Sequence, residues 1–125
     1  MALEIGQYVT AMYKTGKYIG EIVQIRENKA LINILAVLKH PMQGDLHHPK
    51  QADVPFFQQR KALAFTEKTW ATIHTVKPYS GEVPDYTSSL KAALETELKK
   101  LSEENSEWAK RSIHELEQLK KDYHI

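Results

Sequence analysis

The sequence predicts an α+β fold: a small SH3-like antiparallel β-barrel over residues 1–81, followed by an αα-hairpin over residues 82–125 that packs on it as one structural unit. Three observations lead there. Up to Leu38 the chain is rich in β-branched and aromatic residues broken by short polar turns, the pattern of a strand meander. Pro78 to Pro84, with Gly81 between them, is the clearest boundary in the chain. Beyond it the spacing of apolar residues changes from a period of two to one of about 3.6.

The first strand is read in Gln7–Tyr13, with Thr15-Gly16-Lys17 as the turn after it and Gly16 free to take positive φ. Tyr18–Arg26 alternates, with Ile19, Val23 and Ile25 on one face and Tyr18 and Ile22 on the other. After the Glu27-Asn28-Lys29 turn, Ala30–Leu38 is apolar on both faces apart from Asn33, as expected of a strand covered on both sides. Lys61–Thr66 is read as a fourth strand with Leu63 and Phe65 on one side. Trp70–Val76 fits either a fifth strand or an irregular crossing with Trp70, Ile73 and Val76 turned inward. A short meander of this kind is expected to bend and close, because closure removes exposed edges.

In the C-terminal part Asp85 is a plausible N-cap, and Tyr86, Leu90, Ala93, Leu94, Leu98 and Leu101 form one helical stripe. Ser102–Ser106 reads as a five-residue connection. A second helix follows, with Trp108, Ala109, Ser112, Leu116, Leu119 and Tyr123 near one face. Both helices are too short to stand alone in water, so the hairpin must lie on the sheet or on another chain.

Composition narrows the function. The 125 residues hold 42% hydrophobic and 26% charged side chains, which suits a folded soluble domain. Cysteine is absent, which excludes disulfides, thiolate metal sites and thiol nucleophiles. No signal-like or membrane-length apolar run is present in the sequence, so the expected compartment is the cytoplasm. Residues 1–81 carry ten Lys/Arg against six Asp/Glu and residues 82–125 seven against ten, charges of +4 and −3. That asymmetry is too mild for a nucleic-acid binder.

Between the third strand and the later apolar runs lies the organising stretch, residues 38–65. It is too long for a hairpin and is punctuated by Pro41, Gly44, Pro49 and Pro55. Long connections in small domains are usually functional or disordered, and the apolar Leu46, Val54, Phe56 and Phe57 argue for an ordered working loop. His40, Asp45, His47, His48 and Asp53 are the one constellation that invites metal or acid–base chemistry, as in a metal-dependent hydrolase. Their spacing matches no metal motif, and the stronger reading is loop structure and partner contact. Gly16-Lys17 lacks the glycine spacing of a phosphate loop, and neither Ser80 nor Ser88-Ser89 sits in a nucleophile elbow. Phe56-Phe57, Tyr79 and Tyr86, close to prolines, would suit a peptide groove.

Several long strings carry a family resemblance. They are Tyr-Lys-Thr-Gly-Lys-Tyr-Ile-Gly-Glu (13–21), Leu-Ala-Val-Leu-Lys-His-Pro-Met-Gln-Gly-Asp-Leu-His (35–47), Val-Pro-Phe-Phe (54–57), Arg-Lys-Ala-Leu-Ala-Phe (60–65), Pro-Asp-Tyr-Thr-Ser-Ser-Leu-Lys-Ala-Ala-Leu-Glu (84–95) and the ending Gln-Leu-Lys-Lys-Asp-Tyr. Together they resemble the kinase-associated protein B family over nearly the whole chain. The resemblance implies a protein of spore-forming bacteria that activates a membrane sensor histidine kinase and so promotes the sporulation phosphorelay. It implies no catalytic activity and no cofactor. Descriptions of the family as a lipoprotein do not fit a chain without cysteine or signal segment, so no lipid anchor is expected.

The expectation is therefore a non-enzymatic regulator with no catalytic residue, metal or cofactor. It contacts its kinase through His40, Asp45, Leu46, His47, Phe56 and Phe57, binds no nucleic acid, does not insert into the membrane and reaches it through the kinase.

Overall fold

The computed structural model describes residues 3–45, 49–54 and 57–125. Five strands come in the order β1 (Tyr8–Tyr13), β2 (Gly16–Arg26), β3 (Lys29–Lys39), β4 (Lys68–Thr72) and β5 (Lys77–Pro78), and two helices follow, α1 (Tyr86–Glu104) and α2 (Glu107–Tyr123). The sheet is antiparallel with strand order β4-β3-β2-β1-β5. β4 and β5, its two edges, are joined by one 3-10 turn over Ile73–Thr75. This is an SH3-like arrangement, left open where the two edge strands meet.

Curvature comes from β2. Its register against β3 shifts at Lys17/Tyr18, at Ile19/Gly20 and again between Ile22 and Gln24. Each irregularity adds local twist and bend, so one long strand serves both halves of the sheet. The β1–β2 turn differs from expectation. Lys14, at φ 53°, takes the left-handed conformation, and Gly16 is the first residue of β2, opposite Tyr13. Glycine is required there by space: a Cβ would come within 2.5 Å of the Tyr18 hydroxyl.

The expected strand at 61–66 does not form. Thr66 takes a left-handed φ of 68°, and Glu67 N–H closes a turn onto Ala64 C=O. Phe65, expected on the same strand face as Leu63, is 54% exposed and tilts against the Tyr86 ring. The fourth strand begins at Lys68 instead. Trp70–Val76 combines the two readings open to it, with strand pairing to Thr72 and the 3-10 turn after it.

Both helices begin as the sequence indicates. The Asp85 side chain accepts from Ser88 N–H at 3.0 Å, and Ser106 Oγ accepts from Ala109 N–H at 3.0 Å. The connection is shorter than expected, because α1 continues through Ser102 to Glu104. Asn105, left-handed at φ 55°, turns the chain directly into the Ser106 cap. α1 lies against β3, where Ser89 Oγ accepts from Val37 N–H at 3.0 Å and donates to Tyr86 C=O at 2.7 Å. One apolar cluster joins Val9, Tyr18, Ile22, Ile32 and Ile34 of the sheet to Leu90 and Ala93 of α1. A second lies within the hairpin, around Leu94, Leu101, Trp108, Leu116 and Leu119. Tyr123 and Ile125 pack against both clusters. Among the described residues no helix is long and apolar enough to cross a membrane.

Candidate functional site

Among the described residues between the end of β3 and the start of β4 no strand or helix is formed, yet this part of the loop is closely tied to its surroundings. His40 leaves β3 into the interior and is 0% exposed. Its Nδ1 lies 3.0 Å from Pro41 C=O, and a carbonyl only accepts, so Nδ1 carries the ring proton. The bare Nε2 then accepts from the Tyr123 hydroxyl at 2.9 Å, whose oxygen in turn accepts from Ala62 N–H at 2.9 Å. One chain of bonds thus links the end of β3, the end of α2 and the returning arm of the loop.

Two further tyrosines hold the same arm. Leu63 N–H donates to the Tyr18 hydroxyl at 3.2 Å, and the Tyr86 hydroxyl donates to Leu63 C=O at 2.6 Å. Burial pushes the Tyr18 and Tyr86 hydroxyls up to about 12 and raises that of Tyr123, so all three remain neutral. At Ala62 and Leu63 the backbone groups that a neighbouring strand would pair are satisfied by side chains from β2, α1 and α2. That is the physical reason residues 61–66 are not a strand.

Nearer the tip the staples come from within the loop. Gln43 is 4% exposed, and its amide pairs with Arg60 on both sides: Oε1 accepts from Arg60 N–H at 2.8 Å while Nε2 donates to Arg60 C=O at 3.0 Å. Arg60 reaches back to Gly44 C=O through Nη1 and to Gln58 Oε1 through Nη2. Gly44 sits at φ 101°, and a Cβ there would press on the Phe57 ring and the Trp108 indole nitrogen at 3.1 and 3.3 Å. α2 completes the attachment: the Arg111 guanidinium lies 4.5 Å from the Phe57 ring centroid and donates to Ala52 C=O at 2.7 Å.

Of the residues proposed from sequence, His40 is interior, so it holds the loop rather than facing a partner. Both of its ring nitrogens are engaged, and it could ligate a metal only by breaking that network. Among the described residues no group of three His, Cys, Asp or Glu is placed to hold a metal ion. Asp45 and Phe57 are half-buried, and Asp53 is exposed. Leu46, His47 and Phe56 lie outside the described residues, as does His48. Sequence reasoning missed Gln43, Arg60, Tyr18 and Tyr123, which build the loop. Nothing in their own neighbourhoods marks them out, because their partners are distant in the chain.

Burial holds the His40 pKa below its ordinary value, with the Pro41 carbonyl offsetting only part of the effect. As pH falls below about 6.5 the unfolded chain takes up this proton before the folded one does, so stability present above that pH is lost toward lower pH. The urea midpoint is expected to fall between about pH 7 and pH 5, and to fall less in His40→Gln. A midpoint equally pH-dependent in both proteins would remove His40 from this role. Tyr123→Phe leaves Ala62 N–H and His40 Nε2 without their shared partner, and is expected to cost about 1–3 kcal/mol in urea unfolding. An unchanged midpoint would show that the network contributes nothing.

A family model described as kinase associated protein B matches residues 13–124. The chain is 59% identical over 120 residues to the Bacillus subtilis (strain 168) protein named kinase-associated lipoprotein B, a match spanning 96% of this chain and 94% of that protein. It is 48% identical to the chain in an X-ray crystal structure of kinase-associated protein B from Bacillus cereus, covering 99% of this chain and 100% of that one with a TM-score of 0.85. The word lipoprotein belongs to the first relative's name; the present chain contains no cysteine.

Proposed function

The chain belongs to the kinase-associated protein B family, and from that membership we propose that it is a non-enzymatic regulator that binds and activates a membrane sensor histidine kinase in the sporulation phosphorelay. The observation that supports a binding role for the loop is its construction. A segment whose described residues form no strand or helix is fastened to β2, α1 and α2 by side-chain bonds at its base. Such anchoring leaves the base of the loop with little ordering entropy to lose on binding. Contacts are assigned to Asp45, Leu46, His47, Phe56 and Phe57, with His40 holding the loop from inside.

A regulator without catalytic activity shifts a kinase only by binding one of its conformations better than another. Its effect is therefore bounded by that difference in affinity. The double substitution Asp45→Ala with His47→Ala is expected to abolish co-purification with the kinase and the stimulation of its autophosphorylation, while moving the melting temperature by no more than about 5 °C. Charge changes at Glu117 or Lys121 on α2 should leave both intact. Normal kinase binding by the loop variant together with loss in the α2 variant would move the site to the helix. Absence of any kinase interaction in the unaltered protein would remove the function.

A further inference from the structure

Beside the anchored arm of the loop, a cleft of about 390 Å³ opens against the β1–β2 turn. Its charged lining is Lys14, Arg60 and Lys61, and no carboxylate contributes to it. Among the described residues, the ion pairs are Lys50 with Glu104 and Lys110 with Glu107, so these three cations are not neutralised by ion pairing there. Arg60 is held in place by its bonds to Gly44 and Gln58. Those bonds use two of the five N–H donors a guanidinium carries. Lys14 Nζ sits 5.5 Å from the Tyr13 ring centroid. The rest of the lining is mixed, with Gln58 and Gln59 beside an apolar wall of Tyr13, Pro41 and Leu63.

We propose that this cleft binds an acidic peptide segment of a protein partner, with carboxylates on Lys14, Arg60 and Lys61 and an adjoining apolar side chain against Tyr13, Pro41 and Leu63. Uncompensated cations around a partly apolar surface complement that chemistry in both charge and hydropathy. A nucleic acid would need a longer basic track than a chain of net charge +1 offers. An isolated small anion would leave the apolar wall uncovered. Lys14 and Lys61 are exposed, and Arg60, half-buried and held by its bonds to Gly44 and Gln58, supplies a fixed charge in the same lining. The inference rests on the reading of this loop as a partner-binding element and names the chemistry of what it receives.

The test is a titration of the isotope-labelled full chain with a short synthetic peptide of alternating Glu and Leu, followed by backbone amide shifts. In parallel, the same peptide with Gln in place of every Glu is used. Saturable shifts at Tyr13, Lys14 and Lys61 are expected with the acidic peptide, weakened about tenfold or more by the Gln replacement and also weakened by salt. Lys14→Glu combined with Lys61→Glu should abolish them without changing the melting temperature, whereas Lys110→Glu on α2 should not. Equal binding of the two peptides, shifts centred elsewhere, or no saturable shift would overturn the proposal. No kinase is present in this experiment. A failed titration beside normal kinase co-purification overturns the cleft assignment alone, and the reverse combination overturns the kinase reading alone.

Discussion

Replacing Trp108 with alanine is expected to lower the free energy of unfolding by about 3–5 kcal/mol, the usual range for removing a large aromatic from a packed interior. The side chain is 6% exposed and belongs to the cluster of Leu94, Leu101, Ala109, Leu116 and Leu119 that holds the two helices together. The loop also rests on it. The indole nitrogen and the Phe57 ring close around the Cβ-less Gly44, and Lys50 lies over the indole at 5.8 Å from its centroid. Truncation therefore leaves a cavity in the hairpin and removes a support from the loop. Small domains have about 5–15 kcal/mol in total, so most of the margin would go. Urea unfolding followed both by far-ultraviolet circular dichroism and by amide shifts of Met42–Asp45 will separate the two consequences. A loss under about 1 kcal/mol would show that the hairpin core relaxes around the deletion.

A chain ending at Gly81 is expected not to fold as a soluble monomer. The barrel's own apolar cluster includes Leu90 and Ala93, with Tyr86, Tyr123 and Ile125 packed at its margin, and all five lie beyond the cut. The same cut removes Ser89 from Val37 N–H, Tyr123 from Ala62 N–H and His40, and Tyr86 from Leu63 C=O. Each buried polar group left unpaired costs about 1–3 kcal/mol. The apolar face of β3 would at the same time be opened to water. We propose on this basis that residues 1–81 and 82–125 fold as one cooperative unit. Size-exclusion chromatography and a proton–nitrogen correlation spectrum of the fragment provide the check. A well-dispersed monomeric 1–81 would make the hairpin a separate module, whose attachment to the barrel serves something other than stability.

What the sequence by itself determined is what depends on near neighbours. The apolar stripe from Tyr86 to Leu101, the cap at Asp85 and the existence of the first three strands follow from local patterns, and the structure keeps them. The register shift between Ile22 and Gln24 is not local, and it brings Ile25, expected on the opposite face, onto the cluster of Tyr18 and Ile22. The loop was legible as a long, proline-punctuated segment with apolar residues to dock, and Phe57 does pack against the hairpin. Only the tertiary structure decided how the loop is held and which of its residues face inward. His40 meets Tyr123 across 83 positions and Leu63 meets Tyr18 across 45. A histidine that ends as a neutral interior acceptor looks, in sequence, the same as one that faces a partner.

Residues 61–66 depart from the expected strand for the same reason. They have the composition of a strand, but Ala62 N–H and both backbone groups of Leu63 are taken by three tyrosine hydroxyls from different elements, and no local period records that competition. Shape at the working end likewise came from tertiary placement. Arg60 and Lys61 are ordinary polar residues in the sequence, and they become a charged cleft wall because Gln43 and the tyrosines bring this arm against the β1–β2 turn. Local periodicity encodes elements, whereas the pairing of buried polar groups is settled by which elements happen to be adjacent once the core has formed.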